Sequence, residues 1–410
     1  MTPHPTTQTR PHQEKRASNR LLNIREFEAG ATQLRSMPRV LFLELTENCN
    51  LSCPMCRAAG PYDRSKNMSQ EIFDRVVADL FPAAEIVDLR GWGESTILKT
   101  FPQAVDRTIE AGCRIRLVTN LTVPNEALWR RLVRHHALIL VSFDAARADT
   151  FATLRRGAKL AVVLRNLEVM VDEARRSGVP VDTIRLNVVV QPQAIPELPD
   201  IVRIAADLGL SHIQLNPLTV AEESPDHLSR HRPPLARALR DATQVAAERG
   251  VTIQLDAALD ESWADQTHAA KRCTHPWMYC YINYRGQVGF CDHLIGSPAS
   301  GYLLGDLTTT SFQDIWNGAA YQRLRAEHVH WEQQLSARFE ECNWCYRNRY
   351  VDVDDRTYPP YGEHVVRLTT ATCPAVGAHD VPASAPQGRR LLPMLPLDRR
   401  TKRLGGTSAG

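Results

Sequence analysis

Between residues 40 and 216 the sequence switches repeatedly between two periods. Short apolar runs rich in β-branched residues, at 40–45, 86–89, 115–118, 138–142, 184–190 and 212–216, read as strands. Longer segments between them, such as 70–80 and 160–176, carry apolar residues at helical spacing. This alternation leaves few folds open. Parallel strands need crossover connections, and helices supply them, so the pattern predicts an α/β fold: a parallel sheet with helices outside, flat or curved into a partial (β/α)6 barrel. Ligands of such sheets sit at the C-terminal ends of the strands.

The chain has 410 residues and is 43% apolar, enough for one barrel-sized domain and a smaller one. Its 49 Lys and Arg against 46 Asp and Glu leave a net charge of +3, too weak a field to imply a nucleic-acid partner. No apolar run is long enough to span a membrane, and residues 1–20 lack the apolar core of a signal peptide. A soluble, cytoplasmic protein is expected. Residues 1–20 and 365–410 are polar or rich in Pro, Gly, Ser and Arg without apolar period, so both ends are expected to be disordered. The barrel is assigned to 38–220 and a linking helical segment to 221–250, with a proline-started helix at 234–249. A cysteine-pinned module is assigned to 251–350, opening on a strand at 251–255 and containing a hairpin that turns at Arg285 and Gly286.

Most of the ten cysteines fall into two groups, and without an export signal thiolate ligation is a better default than disulfides. Cys49, Cys53 and Cys56 form a CxxxCxxC loop directly after the strand LFLEL. Three thiolates can hold three corners of an iron–sulfur cubane and leave the fourth iron open to a small molecule. A zinc site completed by a distant ligand would use the same residues. Cys273, Cys291, Cys342 and Cys345 can saturate a second cluster or a second zinc. Cys280 and Cys113 read as buried thiols, although Cys280 could also be a ligand or a redox participant.

Polar residues collect at the predicted strand ends. LRGWGEST supplies Gly91, Gly93 and Glu94, where glycine lets backbone approach a ligand and a carboxylate suits an ammonium. VSFDA places Ser142 and Asp144 on one face, and Asn187 lies on the fifth strand. Arg185, Gln214, Asn216 and Asp256 are the candidate substrate-facing groups, with Arg185 and Asp256 the candidate catalytic pair.

The CxxxCxxC loop, the GWGE segment and the VSFDA strand end together resemble the radical S-adenosylmethionine (SAM) superfamily over 38–220. Met55 stands where that family usually has an aromatic residue. The cysteine hairpin, the segment FQDIWN and the CNWC pair resemble the auxiliary-cluster module called twitch, a shorter relative of the SPASM domain. The resemblance implies a SAM-binding 4Fe-4S cluster on Cys49, Cys53 and Cys56 and an auxiliary 4Fe-4S cluster on Cys273, Cys291, Cys342 and Cys345. It implies SAM contacts at Gly91, Gly93, Glu94, Ser142, Asp144 and Asn187, and a reducing partner such as flavodoxin or ferredoxin. Reductive cleavage of SAM would release a 5'-deoxyadenosyl radical that removes hydrogen from a substrate. The layout also resembles radical SAM dehydrogenases and epimerases of aminoglycoside pathways, which implies an aminocyclitol or amino-sugar substrate. No cysteine lies at the expected cavity strands, which favours oxidation of a carbinol to a ketone over epimerisation. Peptide maturation and a non-catalytic iron–sulfur role are the alternatives from other classes.

Overall fold

The computed structural model describes residues 9–56, 58, 60–255, 259, 272–291, 302–333 and 335–348. Strand β1 (Val40–Leu43) runs between two parallel partners, β2 (Ile86–Asp88) and β8 (Tyr279–Ile282). Beyond β2 the sheet continues through β3 (Arg114–Thr119), β4 (Leu138–Ser142), β5 (Ile184–Val190), β6 (His212–Pro217) and β7 (Thr252–Leu255), each parallel to its neighbour. Beyond β8 lie β9 (Gln287–Gly289) and β10 (Leu303–Asp306), both antiparallel. Among the described residues the ten strands form one open sheet, β10-β9-β8-β1-β2-β3-β4-β5-β6-β7. The mostly parallel α/β fold expected from the alternating periods is therefore present.

Crossovers are supplied by α2 (Gln70–Asp79), α3 (Phe101–Glu110), α4 (Glu126–Arg134), α5 (Ala148–Leu154), α6 (Leu160–Ser177), α7 (Leu198–Leu208) and α8 (Arg232–Arg249). They form where the sequence offers caps and an apolar stripe. In α2, the Ser69 side chain accepts from the Ile72 N–H, and Phe73, Val76 and Val77 are buried on one side. The strands alternate to match: Leu186, Val188 and Val190 join the core under the helices, while Arg185, Asn187 and Val189 point to the other face. That second face holds a few apolar side chains at one end, Val40, Ile86, Met278 and Tyr279, and polar ones at the C-terminal strand ends.

Two boundaries differ from the sequence reading. Helix α1 (Thr9–Glu28) occupies much of the segment expected to be disordered. Beside buried Ile24, and Phe27 packed on Trp277, several of its inward contacts are polar, so its apolar period is weak. Arg16 donates to the carbonyls of Ala111 (2.6 Å), Gly112 (3.1 Å) and Phe81 (3.2 Å), Asn19 to that of Met37 (3.0 Å), and Asn23 to that of Trp277 (2.8 Å). The second concerns residue 251, at which the chain stays within the same sheet. β7 pairs with β6, and β8 on the other side pairs with β1, so the expected separate module shares one sheet with the barrel strands. Both edges of the parallel array would otherwise leave backbone groups unpaired. The tail at 365–410 lies outside the described residues.

The cysteine-rich part folds as α9 (His275–Met278), the β8–β9 hairpin, β10, α10 (Phe312–Trp316), α11 (Ala319–Val329) and α12 (Glu340–Asn348). The hairpin turns at Gly286 with φ +83°, a conformation that favours glycine. Arg325 of α11 is fully buried and ties the part together: it stacks on Trp316 and donates to the carbonyls of Pro276 (2.9 Å), Trp316 (2.8 Å) and Thr32 (2.9 Å).

Candidate active site

The loop after β1 carries Cys49, Cys53 and Cys56 at the C-terminal end of the central strand. Backbone N–H groups of Leu51 and Ala58 point at the sulfurs of Cys49 and Cys56 (3.4 and 3.5 Å), and the Asn120 amide reaches Cys49 Sγ at 3.8 Å. Burial pushes the Cys49 thiol up to about 11, opposed by the Leu51 N–H and reinforced by Glu94, Cys56 and Cys53. Burial also raises Cys53, against the opposing charge of Arg155. Buried thiols that share a field this way become thiolates only when a cationic centre joins them. The loop is held from below by Asn48, which donates to Asp63 O and Asn67 Oδ1 (both 2.8 Å) and accepts from the Asp63 N–H (2.8 Å).

The GWGE segment packs directly on this loop. A Cβ at Gly93 would stand 2.3 Å from Asn48 O and 2.7 Å from Thr46 O, and one at Gly91 would stand 2.5 Å from Glu44 Cγ. Only glycine permits that approach. Glu94 plays a different part from the ammonium contact its position suggested. Its buried carboxylate accepts from Thr96 Oγ1 (2.6 Å), the Thr96 N–H (3.3 Å), Thr119 Oγ1 (2.8 Å) and the Asn120 N–H (2.6 Å). Four donors leave it little capacity for a ligand, and it fastens the loop after β3 to the loop after β2.

At the end of β4, Ser142 is buried on the polar face, beside Asn187 in register. Asp144 is fully buried, accepts from the Val189 N–H (2.8 Å) and lies 2.6 Å from Arg155 Nε, so its carboxylate is engaged within the protein. Arg155 in turn stands close enough to Cys53 for its charge to oppose the rise of that thiol. Asn187, Gln214 and Asn216 form a connected row across β5 and β6: Gln214 Nε2 donates to Asn216 Oδ1 (3.1 Å), and Asn216 Nδ2 donates to Asn187 Oδ1 (2.7 Å). Arg185 shares their face but starts the strand two residues before Asn187, and its Nε donates to Asp182 O (2.8 Å). It is buried and lies in register with Leu140 of β4. Asp256 lies outside the described residues.

Cys273, Cys291 and Cys342 are carried on three segments that one aromatic cluster gathers. Phe290, next to Cys291, packs against Tyr302, His328 and Phe339 (centroids 6.0–6.2 Å). Tyr346 of α12 packs on His328 (5.8 Å) and accepts from the Cys273 N–H (3.0 Å). Tyr302 feels the charge of Cys342, and burial raises its phenol well above the ordinary range. Cys345 belongs to α12, but its side chain lies outside the described residues. Cys280 faces the core beside Tyr321, opposite to Tyr279 and Tyr281, and burial raises its thiol strongly; it is a packed thiol remote from the polar face. Cys113 is likewise packed, among Arg16 and the carbonyls of Phe81 and Ala84.

With this geometry in view, comparison with known proteins decides the class. Residues 43–193 match the model of the radical SAM superfamily, and residues 273–346 match that of the SPASM iron–sulfur cluster-binding domain. The chain carries a radical SAM domain. A match to the SPASM model follows it, in the part of the chain where an auxiliary module of the twitch and SPASM kind was anticipated. Residues of this chain are 28% identical over 189 positions to a tungsten-containing aldehyde ferredoxin oxidoreductase cofactor-modifying protein of Pyrococcus furiosus, covering 44% of this chain and 52% of that protein. They are 24% identical over 195 positions to a PqqA peptide cyclase of Bradyrhizobium diazoefficiens, covering 46% and 49%. These matches span about half the length of those relatives. A PqqA peptide cyclase of Xanthomonas campestris pv. campestris aligns further, 25% identical over 303 positions, 70% of this chain and 76% of that protein. In fold, the chain is similar to Streptococcus suis SuiB bound to S-adenosylmethionine (TM-score 0.54, 13% identity, 76% and 72% covered). It is also similar to native anSMEcpe with bound AdoMet (TM-score 0.54, 15% identity, 76% and 88% covered).

The radical SAM domain binds SAM and a 4Fe-4S cluster, and the SPASM domain binds auxiliary iron–sulfur. The residues fit this. Three thiols on one loop, with N–H donors aimed at the sulfurs of Cys49 and Cys56, are the donor set of an open cubane, and hydrogen bonds to sulfur tune such a cluster. Among the described residues no three His, Cys, Asp or Glu side chains close on one ion-sized point; thiolates on separate irons stand wider than that. Sequence reasoning missed Asn120, Arg155 and Glu44, each of which touches the cysteine loop or the GWGE segment. Asn120 and Arg155 lie far from the motif in sequence and carry no periodic signal. Glu44 was visible as a charge inside an apolar strand run, and its buried carboxylate accepts from the Trp92 N–H at 2.9 Å.

Proposed function

We propose that this chain is a radical SAM enzyme that modifies a peptide. One observation carries the reading: the relatives that cover 70% or more of the chain are PqqA peptide cyclases. It is preferred to the aminocyclitol or amino-sugar dehydrogenase expected from the cysteine layout, and to the related epimerase, because those relatives are named for a peptide substrate. Bound SAM, once reduced at the cluster, supplies a 5'-deoxyadenosyl radical that takes hydrogen from carbon. The chain's residues do the rest. Gly91 and Gly93 keep the cysteine loop close to its neighbour, and Asn120 and Arg155 hold Cys49 and Cys53. The linked amides Asn187, Asn216 and Gln214 offer neutral donors and acceptors that match a peptide backbone. A low-potential donor, flavodoxin or ferredoxin, would deliver the electron in the cytoplasm. No helix among the described residues is long and apolar enough to cross a membrane.

The test is anaerobic reconstitution with iron and sulfide, followed by SAM, dithionite and two substrate panels: synthetic peptides and aminocyclitols. Release of 5'-deoxyadenosine coupled to a peptide product lighter by a hydrogen pair is the expected result. Conversion of an aminocyclitol with every peptide left unchanged would overturn the proposal.

A further inference from the structure

The strand that launches the cysteine loop is seated by the SPASM part. β8 pairs with β1 along its whole length, Leu41 against Cys280, Phe42 against Tyr281 and Leu43 against Ile282, and the Glu44 N–H continues the ladder to Ile282 O (2.9 Å). From the same hairpin two phenols reach the loop itself. Tyr281 Oη donates to the buried Glu44 Oε2 (3.0 Å), and its ring meets Phe42 edge-on at 5.5 Å. Tyr284 Oη donates to Glu47 Oε2 (3.0 Å) and accepts from Arg285 Nε (3.1 Å). The two carboxylates bracket Leu45 and Thr46 and end two residues before Cys49. Glu44 also accepts from the Trp92 N–H, so the Tyr281 contact reaches the GWGE segment as well. The hairpin is held in turn by protein contacts: Tyr321 Oη donates to Gly289 O (2.8 Å), and Trp277 Nε1 donates to Ala31 O (2.7 Å).

We propose that Tyr281 and Tyr284 are positioning residues for SAM cleavage, through which the SPASM part sets the pose of the SAM-cluster loop, separately from any electron its own cluster carries. This role rests only on the SAM chemistry of the first domain and not on a peptide substrate. Hydrogen bonds to carboxylates are among the stronger ones, and two of them act on a loop of few residues. Phenylalanine at both positions keeps the rings and their packing and removes only the donors.

The experiment uses the full reconstituted protein with SAM and dithionite and no substrate. For Tyr281→Phe/Tyr284→Phe, full iron content and a wild-type unfolding temperature are expected, with 5'-deoxyadenosine release slowed about tenfold or more. The electron paramagnetic resonance spectrum of the reduced, SAM-bound cluster should broaden or shift, a readout that loss of stability alone would not move. Glu47→Gln, whose amide oxygen still accepts the Tyr284 phenol, should recover most of what Glu47→Ala loses. An unaltered spectrum and unaltered SAM cleavage in the double phenylalanine variant would overturn the proposal. If that variant loses iron, the Glu47 pair decides: equal behaviour of Gln and Ala would overturn it too.

Discussion

At the residue scale the site is governed by space and by buried charge. A methyl group at Gly93 would meet backbone oxygens, which cannot swing aside as a side chain would. Gly93→Ala should therefore shift the cysteine loop and lower iron retained at the SAM cluster by about half or more, measured by iron and sulfide analysis after anaerobic reconstitution. His328 gives a pH signature. Burial lowers its imidazole to about 4, with the Leu324 carbonyl opposing. The folded protein therefore holds it neutral where the unfolded chain would already be protonated. Stability from this group is full above about pH 6.5 and is lost as pH falls toward 4, by about 3 kcal/mol in total. Glu85 acts in the same direction: burial alone would raise its carboxyl, but Arg39 and Arg20 outweigh it and hold it low, so acid again removes stability. His328→Phe, which suits the ring cluster of Phe290, Phe339 and Tyr346, should flatten the unfolding-temperature profile between pH 6.5 and 4. An unchanged slope would show that the imidazole is not its source.

At the element scale, α1 and β8 matter more than their sequences suggested. Arg16 donates to carbonyls at the turn between α3 and β3 and after α2, main-chain acceptors that need donors once folding takes them from water. Arg16→Ala should cost about 2 kcal/mol, read as a lower denaturant midpoint with unchanged slope. Removing residues 1–28 should give an insoluble or SAM-inactive protein, whereas a disordered arm could be removed freely. β8 was legible as a strand of a cysteine-bounded hairpin, yet its pairing with β1 was not, because pairing over more than two hundred residues leaves no trace in local period.

Across the whole molecule, the strand that leads to Cys49, Cys53 and Cys56 and the hairpin that leads to Cys291 belong to one sheet, so a shift in one is passed mechanically to the other. Fully loaded protein should contain about eight irons per chain if both clusters are cubanes. Cys342→Ala should reduce product formation by a larger factor than SAM cleavage, compared as 5'-deoxyadenosine against product in one assay. Equal losses would mean that the auxiliary cluster does not act on the substrate side of the reaction.

Period and spacing along the chain were enough to specify the parallel α/β sheet, the strand-end position of Cys49, Cys53 and Cys56, and the second cysteine group, since strand alternation, helix caps and thiolate ligation are local properties. Only the tertiary structure decided what the buried charges do. Glu94 is bound by Thr96, Thr119 and Asn120, Asp144 by Arg155, and Arg185 reaches back to the Asp182 carbonyl. A side chain's partners come from segments that folding brings together, and a buried carboxylate is bound by whichever donors the packing delivers to it.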